Sequence, residues 1–408
     1  MSTAVMDGIR ILEVCDHTFV PAATAILADW GADVIKIEHA VTGDAARGLA
    51  SSGTVDLGGQ VHAIMEHANR GKRSLGLDLK NADGLEVLHR LAATVDVFLV
   101  NKPPAVRERL GIDEATIRTH NPTIVYAAGT AWGPRGPEGD RGGYDMTSFW
   151  CRSGAAMGTW VPGEPVPPGQ PGPAFGDSMG AMTIAGGISA ALLARERTGE
   201  GQSLEVSLLG TGMWAMGAGI AMSGVSGTPW RGFSLGGRNT FNPLVSSYRT
   251  SDDRHLALCC LQAFRYWAPL CEAIGRPDLI TDERFADHES LTAHAGDAWD
   301  ILTEVFAGAT LGEWRDRLAD FEGQWSPYLD TLELVDDPQV HANDYIQDAV
   351  TADGVPFRLV TTPVQFNGEP SPCGHAPAFN EHGDEVLTAD LGLDMDAVID
   401  LKVKGAVT

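Results

Sequence analysis

The first third of the chain alternates short apolar runs rich in β-branched residues with segments of helical periodicity. The predicted strands are Ile9–Val14, Asp33–Glu38, Val95–Val100 and Thr123–Ala128, and the predicted helices are Pro21–Trp30, Asn81–Thr94 and Ile112–His120. Regular alternation of this kind is typical of a parallel sheet with helices on both faces. The sequence therefore predicts an α/β fold whose large domain is doubly wound and Rossmann-like.

Two segments dense in glycine and proline interrupt this pattern, at 134–176 and 223–243. The first precedes a predicted helix from Ser178 to Arg197, and an apolar stretch ending at Met222 reads as a buried helix. Beyond the second segment, a hairpin pattern followed by helical segments predicts a small α+β domain. We therefore expect residues 1–222 to form the first part of the large domain, 223–331 the small domain with its linkers, and 332–408 a return to the large domain.

The charge balance restricts the partners of the protein. The 408 residues include 29 Lys and Arg against 54 Asp and Glu, a net charge of −25. So acidic a chain repels nucleic acid and anionic membranes, so neither is expected as a partner. The six cysteines follow neither a zinc nor a disulfide pattern, and the first residues do not resemble a signal peptide, which favours a cytoplasmic location.

No cofactor or metal motif stands out. The chain has no G-x-G-x-x-G after the first predicted strand, no phosphate-binding G-x-x-x-x-G-K-[ST], and no H-E-x-x-H. These absences disfavour NAD, a P-loop nucleotide and a metal, and no tightly bound cofactor is expected.

The segment Gly176-Asp177-Ser178-Met179-Gly180 has two chemical interpretations. It matches the G-x-S-x-G nucleophile elbow of serine hydrolases, but the prolines before it disfavour the strand that such an elbow needs. Alternatively, Asp177 at a helix start would stay ionised and could attack an activated acyl group. For a lone aspartate at a helix start, however, the sequence alone favours the structural role of helix cap.

Two clusters of basic residues flank predicted strands. They comprise Arg70, Lys72, Arg73 and Lys80, and Lys102, Arg107 and Arg109. In a doubly wound domain such clusters could bind phosphate at the carboxyl edge of the sheet. Each cluster taken alone is more typical of a solvated charged surface than of a phosphate site.

Taken in order, several motifs resemble one family. They are GIRILEV, ATAILADWGADVIKIE, NRGKRSLGLDLK, VDVFLVNKPPAVRERLGI, NPTIVYAAGTAWGPRGP, GYD, GDSMG and ALLARERTGEGQSLEVSLL. The chain resembles the family III CoA-transferases, which include formyl-CoA transferase, carnitine CoA-transferase and α-methylacyl-CoA racemase. The resemblance implies an interlocked homodimer whose substrates are acyl-CoA thioesters and small carboxylic acids.

The resemblance also implies the chemistry. CoA would pass from an acyl-CoA donor to a free carboxylate acceptor, and the family's catalytic aspartate corresponds to Asp177. Its carboxylate would form an aspartyl-acyl anhydride and then an aspartyl-CoA thioester. Asp145 corresponds to a supporting acidic residue, and Gly236 and Gly237 match a glycine-rich loop that closes over the nucleophile.

Further positions match the family's substrate contacts. By resemblance, those for CoA are His39, Leu77, Lys80, Asn101, Lys102 and Arg109, with Lys102 standing where an aromatic residue is common and His39 where an arginine often occurs. Among them Lys80 and Arg109 are expected to bind the CoA phosphates, helped by Lys72, Arg73 and Lys102. Thr18 and Tyr144 correspond to the acyl pocket, to which Trp150, Arg152 and Trp160 could also contribute.

Tyr144 bears on the reaction type. The racemase branch abstracts an α-proton with a histidine, and this chain has Tyr144 at that position. Because a tyrosine with a pKa near 10 is a poor base at neutral pH, transfer is favoured over racemisation.

Overall fold

The computed structural model describes residues 4–53, 55–57, 59–161, 163–232 and 237–408. The chain divides into two compact units, the first made of Met1–Arg231 and Pro338–Thr408 and the second of Gly232–Asp337. The first unit is thus built from both ends of the chain, with the second inserted. The expected boundary at residue 222 falls inside a helix, Gly217–Ser226, because helical hydrogen bonding continues into the glycine-rich segment.

The first part of the first unit contains eight strands and nine helices among its described residues. In chain order they are β1 (Arg10–Val14), α1 (Phe19–Asp29), β2 (Asp33–His39), β3 (Ser51–Ser52), β4 (Val55–Asp56), α2 (Ala63–Asn69), β5 (Arg73–Leu77), α3 (Ala82–Ala92), β6 (Val97–Val100), α4 (Pro104–Leu110), α5 (Glu114–His120), β7 (Val125–Thr130), α6 (Ala155–Thr159), α7 (Phe175–Thr198), β8 (Ser203–Ser207), α8 (Leu208–Ala215) and α9 (Gly217–Ser226).

The second unit and the returning segment follow. The second unit has β9 (Val245–Arg249), β10 (His255–Cys259), α10 (Ala263–Ala273), α11 (His288–Ala293), α12 (Ala295–Phe306), α13 (Leu311–Arg317) and β11 (Trp325–Pro327), and the return has α14 (Pro338–Ala342), β12 (Ile346–Val350), β13 (Pro356–Val360), α15 (Gly383–Glu385) and α16 (Met395–Val403). Single turns of 3₁₀ helix occur at Ala45–Gly48, Pro277–Ile280, Glu283–Phe285 and Glu333–Asp336, and π-helical turns at Met146–Cys151 and Val386–Asp390.

Six strands of the first unit form one sheet in the order β5-β2-β1-β6-β7-β8, with every neighbouring pair parallel. The chain winds outward from β1 to β5, returns to β6 beside β1, and winds outward again to β8. The predicted parallel α/β sheet is therefore confirmed. A crevice for ligands is expected at the carboxyl ends of β1 and β6, where the winding reverses.

Alternation of side chains along the strands places a core on each face of the sheet. Ile11 and Leu99 pack on one face with α1 and α7, while Leu12 and Phe98 pack on the other with α3. Because both faces are covered, the central strands are apolar throughout, as parallel strands usually are.

Helix α7 begins at Phe175 rather than at Ser178 and has 24 residues. Among the described helices, α7 is the one that is long and apolar enough by itself to cross a membrane. The bent pair α8 and α9, taken together, would be a second candidate. Ile184, Ala185 and Ile188 of α7 are buried in the core with α1. Core helices of globular proteins meet the same criteria, and α7 packs as one.

The prediction of a buried helix ending at Met222 is wrong in this chain. The segment breaks at Met216 into α8 and α9, which are bent by 68°. Trp214 and Val225 are 88% and 92% exposed. The apolar sequence indicates that these side chains should be shielded from water, but the described residues around them do not cover them.

The second unit has its own small sheet and core. Strands β9 and β10 form the expected antiparallel hairpin, and β11 pairs with the other edge of β10. Tyr248, Trp267 and Phe306 are buried between this sheet and the helices. The unit is therefore α+β, as the sequence predicts.

Candidate active site

A cavity of about 670 Å³ lies at the carboxyl edge of the large sheet. Asp16 and His17 follow β1, Asn101 follows β6, and Trp132 comes shortly after β7; all four line the cavity together with Asp177. Since Val14 pairs with Val100, and Val100 with Ala128, these segments leave the sheet side by side. The cavity therefore lies where the reversal of winding predicts a ligand crevice.

Asp177 is in the first turn of α7 and is only partly exposed. The cap position is taken by Ala174, which has a left-handed backbone with φ of 57° and makes no side-chain cap hydrogen bond. Burial and the nearby Asp145 carboxylate raise the pKa of Asp177 to about 7. The expectation that Asp177 caps its helix is thus corrected, because Ala174 holds the cap position. The raised pKa also differs from the expectation that the helix start keeps Asp177 ionised.

Asp145 lies behind the first turn of α7 and is 5% exposed. One carboxylate oxygen accepts a hydrogen bond of 3.0 Å from the backbone N–H of Gly176. Burial raises the pKa of Asp145, while backbone N–H groups of Gly176 and Asp177 oppose that rise. The two carboxylates form a pair in which only Asp177 lines the cavity.

Hydrogen bonds and an ion pair connect the turn after β1 to neighbouring segments. The Asn101 side-chain amide donates to the Asp16 carbonyl at 2.7 Å, and Lys102 pairs with the Asp16 carboxylate. The backbone N–H of His17 donates to Asp44 at 2.9 Å, and His17 has a left-handed φ of 68°. Sequence motifs did not identify Asp16 and His17, although their place directly after the first predicted strand is a signal that could have done so.

Beneath this turn lies a buried network of charges. Lys36 contacts Glu13 at 2.9 Å and Asp44 at 2.8 Å, and Lys72 contacts Glu13 at 2.7 Å. These four residues, Glu13, Lys36, Asp44 and Lys72, are all buried. Burial lowers the pKa of Lys72 to about 8, against the opposing charge of Glu13. The network supports the turn after β1 from below.

These contacts correct the interpretation of the first basic cluster. Lys72 is internal, Arg70 is buried against Asp29 at 2.8 Å, and Arg73 is paired with Asp33 and Asp390. Lys72 and Arg73 are therefore not available as helpers in phosphate binding. A solvated surface is equally wrong for Lys72 and Arg70, because carboxylates distant in sequence neutralise them.

Five of the six residues matched to CoA end or closely follow strands at the carboxyl edge of the sheet, and the sixth, Arg109, lies in the last turn of α4. His39 and Leu77 face each other at the ends of β2 and β5, Lys80 and Arg109 are exposed, and Asn101 and Lys102 line the cavity. The Leu77 side chain is 1% exposed and belongs to the core. Only its backbone could therefore meet a ligand.

The remaining site candidates are dispersed. Thr18 is buried at the start of α1, whereas Tyr144 is 65% exposed, lines the cavity and contacts the ring of His17 edge-on at 5.5 Å between centroids. Gly237 belongs to the second unit and has φ of 122°. Gly236 lies outside the described residues.

The residues proposed for the acyl pocket divide as follows. Arg152 lines the cavity. Trp150 is 6% exposed and donates to the Pro168 carbonyl, so it packs internally. Trp160 donates to the Glu164 carbonyl and lies under Arg231. Of the three, only Arg152 faces the cavity.

One observation supports the serine hydrolase interpretation and two oppose it. The His67 Nε2 atom lies 3.2 Å from the Ser178 hydroxyl, and burial lowers the pKa of His67 to about 4, so the imidazole is neutral. Residues 165–174, however, form no strand ahead of the helix. The strand-turn-helix of a nucleophile elbow is therefore missing, and Ser178 does not line the cavity that Asp177 lines.

No group of three or more His, Cys, Asp or Glu that could hold a metal ion occurs within the described part of the chain.

Comparison with known proteins agrees with this arrangement. The chain is 28% identical over 398 residues to the (R)-2-hydroxy-4-methylpentanoate CoA-transferase of Clostridioides difficile, covering 97% of this chain and 98% of the relative. It is 30% identical over 388 residues to the cinnamoyl-CoA:phenyllactate CoA-transferase of Clostridium sporogenes, covering 95% and 93%.

A solved structure shows the same architecture. The crystal structure of a CAIB/BAIF family protein from Brucella suis superposes with a TM-score of 0.80 at 27% identity, covering 95% of this chain and 99% of that one. The model of CoA-transferase family III matches residues 6–383, which include the sheet, the cavity and Asp177. With its doubly wound sheet, its crevice at the point of reversal and a match along nearly its whole length, the chain belongs to CoA-transferase family III.

Proposed function

We propose that the protein transfers CoA from an acyl-CoA donor to a free carboxylic acid, with Asp177 as the nucleophile. The observation that carries the proposal is an aspartate that lines the cavity at the switch point and has its pKa raised to about 7. The relatives named above are CoA-transferases. A carboxylate nucleophile is suited to this exchange because its attack on a thioester gives a mixed anhydride, which is reactive enough to pass an acyl group back to a thiolate.

The proposed reaction proceeds in four displacements. The Asp177 carboxylate attacks the thioester carbonyl, the C–S bond breaks, and CoA leaves as thiolate from an aspartyl-acyl anhydride. The thiolate then attacks the aspartyl carbonyl, which releases the donor acid and forms an aspartyl-CoA thioester. The acceptor carboxylate displaces the thiolate to form a new anhydride, and the thiolate finally attacks the acceptor's acyl carbon. Asp177 is regenerated as carboxylate.

Asp145 is proposed to make Asp177 more reactive. Burial first, and the neighbouring Asp145 carboxylate second, raise the free energy of the ionised form of Asp177, which is why the pKa of Asp177 is high. Acylation removes the charge of Asp177, so the repulsion is relieved as the anhydride forms. Asp145 would therefore favour the covalent intermediate over the free carboxylate.

CoA is proposed to lie along the carboxyl edge of the sheet. Lys80 is exposed three residues after β5, and Arg109 is exposed in the last turn of α4, the helix that follows β6. Asn101 lines the cavity that Asp177 lines. Cations on this edge would reverse locally the field of a chain with net charge −25.

We further propose that two copies of the chain associate. The exposed apolar side chains of α8 and α9, among them Trp214 and Val225, form a surface that water would not favour. An interlocked homodimer, as the family resemblance implies, would cover it.

The test is mass spectrometry of the intact protein after incubation with a panel of acyl-CoA thioesters. We expect an adduct on Asp177, trapped by hydroxylamine as the aspartyl hydroxamate, with no adduct in Asp177→Asn. Ser178→Ala serves as the matched control at the next residue and should retain the adduct. An adduct that persists in Asp177→Asn would overturn the proposed mechanism.

Two alternatives are separated by the same preparation. If Ser178 and His67 acted as a hydrolase pair, a fluorophosphonate would label Ser178 and abolish activity; we expect no labelling. If the protein were a racemase, the acyl α-hydrogen would exchange with D₂O without a carboxylate acceptor; we expect no exchange, since Tyr144 replaces the family's histidine base.

A further inference from the structure

Two arginines of the cavity wall share one carboxylate. Arg141 Nη1 donates to Glu138 Oε1 at 2.7 Å, and Arg152 Nη2 lies 3.2 Å from Glu138 Oε2. Both guanidinium groups also lie over the ring of Trp132, with Cζ 5.5 Å and 5.6 Å from its centroid. We call Trp132, Glu138, Arg141 and Arg152 the Trp132 cluster.

The Trp132 cluster has a net positive charge and N–H donors that Glu138 does not engage. It holds two positive charges against the single charge of Glu138, and no other carboxylate among the described residues pairs with either arginine. The side chains of Arg141 and Arg152 are 64% and 55% exposed, against 27% for Glu138. Each guanidinium carries five N–H donors in a planar fork suited to carboxylate. Several donors therefore remain open to a ligand.

The position of the Trp132 cluster relates it to the substrate. Trp132, Arg141 and Arg152 line the cavity that Asp177 also lines. An acid held with its reacting carboxyl at Asp177 therefore shares the cavity with the two arginines. Of the residues that match the family's CoA contacts, Asn101 and Lys102 line this cavity, whereas Lys80 and Arg109 do not.

We propose that the Trp132 cluster binds a second carboxylate of the substrate, so that the acids exchanged here are dicarboxylic. This inference rests on the proposed function, because it assigns the reacting carboxyl to Asp177. Glu138 shows that a carboxylate fits between the two guanidinium groups, and it holds them in place without neutralising both. The ligand's carboxylate would take the donors that Glu138 leaves open.

The test measures binding of free acids rather than turnover. Calorimetry or thermal-shift titration would compare dicarboxylates of three to six carbons with monocarboxylates of equal length, in the wild type and in Arg141→Gln, Arg152→Gln and the double variant. The control is Arg135→Gln, which removes the same charge from an exposed arginine of the same loop that does not line the cavity.

We expect the wild type to bind at least one dicarboxylate more tightly than its monocarboxylate partner. Each single variant should lose about tenfold in affinity for that dicarboxylate with monocarboxylate binding unchanged, since one charge-assisted contact is removed. The double variant should show no preference, and Arg135→Gln should behave as wild type. A wild type without preference, or variants that keep it, would overturn the proposal.

CoA is the other anion in the reaction, so titrations with CoA and dephospho-CoA form the second arm. Variants that bind CoA more weakly while keeping the dicarboxylate preference would assign the Trp132 cluster to CoA and overturn the proposal. If no adduct forms on Asp177, the proposed function is wrong. The binding results above do not depend on that adduct, so the two failures can be told apart.

Discussion

The carboxylate of Asp145 accepts a hydrogen bond of 3.0 Å from the backbone N–H of Gly176. This bond fixes a buried negative charge directly behind the first turn of α7, one residue before Asp177. The proximity of Asp145 adds to burial in raising the pKa of Asp177. The first turn of α7 and Asp145 therefore act as one unit.

Gly176→Ala should disrupt this unit. A Cβ at position 176 would lie 2.2 Å from the ring of Phe149 and 2.4 Å from an Asp145 oxygen. Overpacking of this kind costs about 1–3 kcal/mol, and we expect a lower melting temperature and little adduct on Asp177. Gly186→Ala is the control, since its Cβ in the same helix meets nothing within 4 Å. A fully active and stable Gly176→Ala would contradict the described packing.

Formation of the covalent adduct should depend on pH through Asp177. Because its pKa is raised to about 7, the nucleophilic carboxylate is the minor form at pH 6, and the rate should rise through pH 7 to a plateau. Asp145→Asn removes a neighbouring negative charge, so the midpoint of the rise should move to lower pH. Rates measured by quenched mass spectrometry between pH 5 and 9 would decide; an unmoved midpoint would remove Asp145 as a cause.

Stability should respond to the same pKa with a defined sign. The folded protein binds the Asp177 proton more tightly than the unfolded chain, whose aspartate has a pKa near 3.8. Folding stability from this group is therefore present below about pH 4 and is lost as pH rises to about 7. At pH 8, Asp177→Asn should raise the free energy of unfolding by at most about 4 kcal/mol, and with it the melting temperature. At pH 4 both should be nearly unchanged. A lower melting temperature at pH 8 would contradict the raised pKa.

Neutralising Lys80 or Arg109 should weaken CoA binding. A charge-assisted contact to phosphate is worth about 1.5–3 kcal/mol, which corresponds to roughly a tenfold to hundredfold loss for Lys80→Gln or Arg109→Gln. The loss should be smaller at high salt, because screening already weakens the wild-type contact. Calorimetric titration with free CoA measures it, with Arg315→Gln of the second unit as control. Unchanged affinity in both variants would place the phosphate contacts elsewhere.

The exposed face of α8 and α9 should control the oligomeric state. Glutamate at position 214 or 225 would place a charge in the surface proposed to pair with a second copy, so Trp214→Glu and Val225→Glu should shift the protein from dimer to monomer. Light scattering after size-exclusion chromatography would show the change. Val403→Glu is the control, since Val403 is 81% exposed on α16. If both variants elute as the wild type does, another surface forms the assembly.

Local patterns were sufficient for most of the scaffold. The alternation around β1, α1 and β2 and the hairpin of β9 and β10 arise from periodicities that a few neighbouring residues create, and the structure confirms them. Strand β5 was missed because Arg73 and Gly76 make its sequence look like a basic loop. Its strand character comes from pairing with β2, which a local pattern does not contain.

The sequence by itself determined the α/β class, the family and the candidate nucleophile Asp177, since these depend on residue order and on short motifs. Only the tertiary structure decided the electrostatics. It buried Lys72 against Glu13, 59 residues away, set Asp145 behind Asp177, and gathered Arg141 and Arg152 around Glu138 at the cavity. The charge state and availability of a side chain depend on which groups share its low-dielectric surroundings, and those neighbours are brought together by folding rather than by position along the chain.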